Sequence, residues 1–242
     1  MSGDRNSGRA RPNILLVTVD QWPAHLLGAA GHGVVETPTL DHLARLGTRY
    51  TNVYAECPIC IPARRTLMTG LSPRGHGDRD FQPLLPMPEG VPTLARVFRE
   101  GGYQTSAVGK LHVYPQRDRI GFEEVLLAEE GRAYFSGPDD YDLFLADRGA
   151  VGRQFLHGMS NNDYGWRPWH LPEELHVTNW ITFAAARQRW IEARGEQQKT
   201  ELALARAVGL PLDRPLHLTD TVPFALLPLG DVKAAVARAL GG

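Results

Sequence analysis

The run Asn13-Ile14-Leu15-Leu16-Val17-Thr18-Val19 carries apolar side chains at five of its seven positions, with no alternation between them. Neither face of such a ribbon suits water, which predicts a strand buried on both sides, as in a parallel sheet. It ends at Asp20-Gln21, and polar residues at the carboxyl end of a buried strand are where layered α/β folds place their chemistry. Next, Thr37-Pro38-Thr39-Leu40 reads as a helix start with proline in the first turn. Leu40, Leu43 and Ala44 fall on one helical face, and Gly47 supplies the stop. Pro92-Thr93-Leu94 repeats the device, with Leu94, Val97 and Phe98 sharing a face and Gly101-Gly102 ending the helix. A second strand is predicted over residues 104–108, running out at Gly109-Lys110-Leu111-His112. Strand, helix, strand is thus written twice, which predicts a layered α/β domain with a mostly parallel sheet.

From residue 117 to 180 the pattern dissolves into aromatic, Pro, Asn and Asp residues, as in FSGPDDYDLF and SNNDYGWRPWHLPEELH. A long irregular stretch in a compact domain is either a substrate-facing elaboration or poorly ordered, and its tryptophans and tyrosines favour the first. Asn161, Asn162, Asp163, Tyr164, Trp166 and Trp169 either shape a substrate pocket or serve as scaffold. From Phe183 an Ala-, Arg- and Gln-rich helix follows, then a Pro-Leu stretch and a last short helix, DVKAAVARAL. The predicted organisation is a flexible leader over 1–12, a catalytic region over 13–182 and a helical tail of unassigned role over 183–242.

The 242 residues carry a formal net charge of −1 with acids and bases scattered, which favours neither a nucleic-acid groove nor a polybasic membrane surface. The only early apolar run, 14–19, is too short for a signal segment or a membrane span, so a cytoplasmic protein is expected. Oligomeric state is left open.

The two cysteines stand in YAECPICIPARRTLMTG, as Cys57 and Cys60. A redox pair would open a helix within a thioredoxin-like pattern, which is missing here. A zinc site needs about four ligands, and no second C-x-x-C or H-x-x-x-H accompanies this pair. Cys57 reads as an inert thiol. Cys60 has different company: Cys60, Pro62, Arg64, Thr69 and Gly70 form C-x-P-x-R followed by a hydrophobic pair and T-G.

That run resembles the signature of the formylglycine-dependent sulfatases. Order strengthens the resemblance: a strand ending in aspartate (Asp20), a P-x-L-D-x-L-A-x-x-G helix (residues 38–47), the cysteine motif (60–70), then G-K-x-H (109–112). It covers about the first three quarters of the chain. What it implies is an alkaline-phosphatase- and sulfatase-like three-layer α/β/α fold with a mostly parallel sheet, cut short relative to the family. It also implies an arylsulfatase-like sulfuric ester hydrolase acting on a small-molecule sulfate ester, with neither nucleic acid nor membrane as partner.

By the same resemblance Cys60 would be oxidised to formylglycine by a separate maturation enzyme that reads the extended motif. The hydrated aldehyde would attack sulfur with one hydroxyl and expel sulfate with the help of the other. Asp20, Gln21 and the oxygens made from Cys60 would ligate a divalent cation, Ca2+ first, with Mg2+ or Mn2+ as alternatives. Arg64 would hold the diol, Lys110 would bind the sulfuryl oxygens, and His112 would accept the remaining diol proton. Many sulfatases have a second aspartate where this chain has Gln21, and Asp-Gln looks more like the phosphonate monoester and phosphodiester hydrolases of the superfamily. Each residue alone has a plainer reading: Asp20 as a helix cap, Lys110 and His112 as a solvated strand face, Arg64 and Arg65 as helix-surface cations. Residues 183–242 lack the Asp-His or Asp-Asn pair that the family contributes late in its sequence, which keeps an inactive, anion- or partner-binding fragment as a third reading.

Overall fold

The computed structural model describes residues 11–131, 137–159 and 165–207. Two compact units divide the chain, Met1–Ile181 and Thr182–Gly242. In the first unit, helices α1 (Pro38–Leu46), α2 (Cys60–Thr69), α3 (Pro73–His76) and α4 (Leu94–Glu100) precede strand β1 (Ser106–Gly109). Strand β2 (Glu124–Leu127) and helix α5 (Asp140–Ala146) follow, and α6 (Val177–Ala207) starts within this unit. Among the described residues, the second unit consists of the turns of α6 from Thr182 onward.

β1 and β2 pair in parallel, with Ser106 opposite Glu124 and Gly109 opposite Leu127. Side chains alternate across the pleat, so the pair presents two apolar faces. On one, Val108 and Leu126 pack on a core of Tyr141 and Leu145 of α5, Leu171, Leu175 and Trp180. On the other, Ala107, Val125 and Leu127 meet Met68 of α2, Leu111, Val113 and Ile120. The small sheet is therefore covered on both sides, as its apolar composition requires.

Local sequence explains the framing elements. α2 carries Pro62 in its first turn, where a missing N–H costs nothing, and stops at Gly70, whose left-handed backbone (φ 69°) lets its N–H reach the Thr66 carbonyl. α5 opens with a capping box in which Asp139 and Asp142 satisfy each other's backbone N–H. α6 starts six residues earlier than propensity predicts. Val177, Trp180 and Ile181 pack into the core, and that burial outweighs the poor helix propensity of their β-branched neighbourhood.

Two expectations fail. Residues 13–19 belong to no strand, and Ile14, Leu15, Leu16, Val17 and Val19 are each 56–71% exposed. α1 forms where expected but buries none of its residues, and Leu40 and Leu43 face solvent. The stretch 117–180 proves less irregular than its composition suggests, since β2 and α5 lie within it. Asn161, Asn162, Asp163, Tyr164 and the DVKAAVARAL helix lie outside the described residues. Among the described residues no helix is long and apolar enough to cross a membrane.

Candidate active site

Parallel pairing brings the carboxyl ends of β1 and β2 side by side. The chain leaves β1 through Lys110, Leu111 and His112, and leaves β2 through Ala128, Glu129 and Glu130. Charged and titratable side chains from both exits collect at this edge, where layered α/β folds bind their ligands. Lys110 Nζ donates to Asp20 Oδ2 at 2.6 Å and to Glu130 Oε1 at 2.9 Å. Arg64 reaches the other Asp20 oxygen, Nη2 to Oδ1 at 3.4 Å, and also donates to the Lys110 carbonyl. Burial alone would raise the Asp20 pKa. The hydrogen bond from Lys110 and the charges of Lys110 and Arg64 outweigh it and hold the carboxyl below its ordinary value.

Cys60 is the first residue of α2 and is half-buried. Ile59 before it offers no side-chain cap, so none of the first-turn amides of α2 is capped from that position. Cys60 and Arg64 stand four residues apart and share a helix face, so the arginine at the Asp20 carboxylate is one turn from the thiol. Arg65 points the other way. Its Nε lies 3.2 Å from Asp78 Oδ2, both side chains are sealed from solvent, and its remaining nitrogens donate to the Leu85 and Pro86 carbonyls. Of the two consecutive arginines, the first belongs to the site and the second to the scaffold. Cys57 lies in the preceding loop with Sγ 3.6 Å from the Arg79 carbonyl, and both thiols are free.

His112 follows Lys110 by two residues where the chain leaves β1. Its side chain is fully buried, with Nε2 3.6 Å from Glu129 Oε2. The other Glu129 oxygen accepts the N–H groups of Leu111 and His112 at 2.8 and 2.9 Å. Burial pushes the Glu129 carboxyl above its ordinary range, despite those two hydrogen bonds and the charges of Arg64 and Lys110. Lys110 and His112 are not alternate residues of a strand, because β1 stops at Gly109. Gln21, beside Asp20, is exposed. Gln21, His112 and Glu130 all have left-handed backbones (φ 54°, 55° and 63°), a conformation side chains other than glycine seldom adopt and one that clusters at functional sites.

The sequence reading missed Glu129 and Glu130. Their signal was available: a polar pair closing the apolar run Val125-Leu126-Leu127-Ala128, the same strand-end rule that picked out Asp20. Trp169 belongs to the scaffold, donating Nε1–H to the Pro172 carbonyl and packing edge-on against His170 and His176.

A hard divalent cation wants six or more oxygen ligands. Among the described residues no group of three or more His, Cys, Asp or Glu side chains is placed to hold a metal, and Asp20 already faces two cationic side chains. The donors gathered here do not by themselves fit such an ion.

The sequence matches the family described as Sulfatase over residues 12–188. An arylsulfatase of Clostridium perfringens is 34% identical over 188 residues, 71% of this chain and 38% of that protein. A choline-sulfatase of Rhizobium meliloti is 33% identical over 54% of this chain and 25% of its own length. A sulfatase of Formosa agariphila aligns at 27% identity over 92% of this chain and 43% of its own. Among solved structures, a phosphonate monoester hydrolase of Agrobacterium radiobacter superposes with a TM-score of 0.58 at 27% identity, covering 75% of this chain and 38% of that one. The chain thus spans less than half the length of each of these relatives. With the family matched across most of its residues, this chain belongs to the sulfatases.

Proposed function

We propose that the chain carries the nucleophile side of a hydrolase site for sulfuric esters, centred on a formylglycine made from Cys60. The observation that supports it most is the convergence of Arg64 and Lys110 on one carboxylate at the strand ends, one helical turn from Cys60. Sulfatases typically use a metal and a formylglycine. Hydrated formylglycine supplies an oxygen nucleophile and a second hydroxyl through which the bound ester can be released.

The chain's own residues do the rest. Arg64 and Lys110 are nearly buried cations whose N–H groups can turn from Asp20 to the non-bridging oxygens of an entering sulfuryl group. Because they are already held in a partly desolvated pocket, little reorganisation accompanies the reaction. Glu129 fixes the 110–112 turn through two backbone N–H groups, and His112 beside it takes the proton. The substrate is a small sulfate ester, and the fold is the layered α/β/α arrangement of the alkaline-phosphatase-like enzymes.

A second reading keeps the machinery and changes the substrate to a phosphonate monoester or phosphodiester. Gln21 beside Asp20 and the likeness to the phosphonate monoester hydrolase favour it. Comparing turnover of nitrophenyl sulfate with that of a phenyl phosphonate ester by the aldehyde-bearing chain separates the two. The sulfatase reading expects the larger kcat/KM on the sulfate, and a preference for the phosphonate would replace it.

A further inference from the structure

The turn that leads into β2 is held in an unfavourable backbone. Ile120 has φ 43°, a left-handed value that a β-branched residue adopts only under constraint. Its constraints are specific. Asp118 Oδ1 accepts the Ile120 N–H at 3.0 Å, and the hydroxyl of Thr93, the residue before α4, donates to the Ile120 carbonyl. Gly121 then passes so close to α4 that a Cβ there would stand 2.7 Å from the Arg96 backbone nitrogen. Strain held this firmly points to whatever the turn positions. What it positions is Arg119, brought up to Arg96 and Arg99 of α4, which stand three residues apart on one helix face. The three arginines line a single cavity of about 550 Å³, an ordinary size for a small-molecule pocket.

The guanidinium groups are largely uncommitted. Arg99 has no side-chain partner among the described residues. Arg96 Nε lies 3.4 Å from Glu100 Oε1 in a pair left 53% and 66% exposed, which water screens and a stronger anion displaces. Arg119 gives one nitrogen to the Glu123 carbonyl and keeps the rest of its fork. The two carboxylates of the lining each serve the backbone: Asp118 holds Ile120, and Glu123 Oε2 accepts the Thr105 N–H at 3.0 Å. Met87, Val91 and Phe122, all half-buried, give the same cavity an apolar side. We propose that this cavity binds a small organic phosphate, with the doubly charged tetrahedral head on Arg96, Arg99 and Arg119 and the apolar body against Met87, Val91 and Phe122. Arginine forks match tetrahedral oxyanions, and two charges on the head draw more from three cations than a singly charged sulfate would. The site is separate from the chemistry at Cys60. The cavity adjoins the amino ends of β1 and β2, whereas Lys110, Glu129 and Glu130 follow their carboxyl ends. Four residues of strand, about 13 Å at about 3.3 Å per residue, lie between the two. The ligand is held there and not hydrolysed.

The test is calorimetric titration of the full 242-residue chain, with Cys60 left as the thiol, using phenyl phosphate, phenyl sulfate and inorganic phosphate. Phenyl phosphate should bind one to one and saturate below about 1 mM, more tightly than either of the other two probes. Arg99→Gln and Arg119→Gln should each weaken it by about 10-fold or more, the usual worth of a charge-assisted hydrogen bond. Arg99 is exposed in the last turn of α4, so that variant should keep the parent near-UV spectrum even where Arg119→Gln disturbs the turn. Lys110→Gln, at the other end of the strands, should leave the affinity unchanged. Absence of saturable binding up to about 10 mM would overturn the site. So would binding lost in Lys110→Gln and untouched in Arg99→Gln, which would place the anion at the candidate active site. Inorganic phosphate or phenyl sulfate binding as tightly as phenyl phosphate would overturn the ligand class. None of these results depends on oxidation of Cys60, which is read separately by mass.

Discussion

At the scale of single residues, the site divides into side chains whose type announces their chemistry and side chains whose placement does. Cys60, Arg64, Lys110 and Asp20 were legible because motif and strand-end position single them out, and three of the four lie in direct contact around one carboxylate. Replacing Cys60 with alanine is expected to abolish ester hydrolysis while the fold persists, whereas Cys57→Ala leaves it nearly intact. Equal losses in a nitrophenyl sulfate assay would return the pair to a redox role. Lys110→Ala should lower kcat by about 100- to 1,000-fold, the usual cost of removing a preorganised donor to a developing anion. The strand-end rule could have marked the position of Glu129, but not its raised pKa, which only burial brings about. Its folded-state pKa is raised, so the folded chain binds the extra proton. Its contribution to stability is therefore fully present below the ordinary value of 4.5 and is lost as pH climbs from there through the raised value. Glu129→Gln should flatten that decline relative to the parent in urea midpoints measured at stepped pH, and parallel curves would remove Glu129 from the account.

Elements follow from sequence where a local rule suffices, and depart from it where burial decides. α1, α2 and α4 sit where Pro, Thr and Gly punctuate them, and β1 falls within two residues of expectation. β2 escaped notice because its four residues, Glu124-Val125-Leu126-Leu127, are too few to show a period. α5 could have been found from the Asp139-x-x-Asp142 spacing of its capping box. The same helix supplies the core beneath the sheet. Leu145, 1% exposed among Tyr141, Trp180 and Leu175, should cost about 2–5 kcal/mol when cut to alanine, measured by denaturant unfolding. Asp78→Ala should cost about 3–5 kcal/mol by stranding the buried Arg65 guanidinium behind α2. A loss well under 1 kcal/mol would mean that water or another group satisfies that arginine.

On the scale of the molecule, the most informative failure is the ribbon 13–19. Its composition predicts burial on both faces, and the structure leaves it bare. Hydrophobic pattern records the environment a segment is built for, including neighbours that the described residues do not supply. The donors around Asp20 likewise do not by themselves fit a hard cation among the described residues. The ribbon lies inside the family match over residues 12–188, while the chain spans less than half the length of the relatives it matches.

Everything about the chemistry turns on the side chain at position 60. The direct measurement is the mass of the peptide containing Cys57 and Cys60, taken from chain co-produced with a formylglycine-generating enzyme. A peptide lighter by about 18 Da, with the change located at Cys60, is the predicted result. An unaltered mass, or one lower by about 2 Da from a Cys57–Cys60 disulfide, would contradict it.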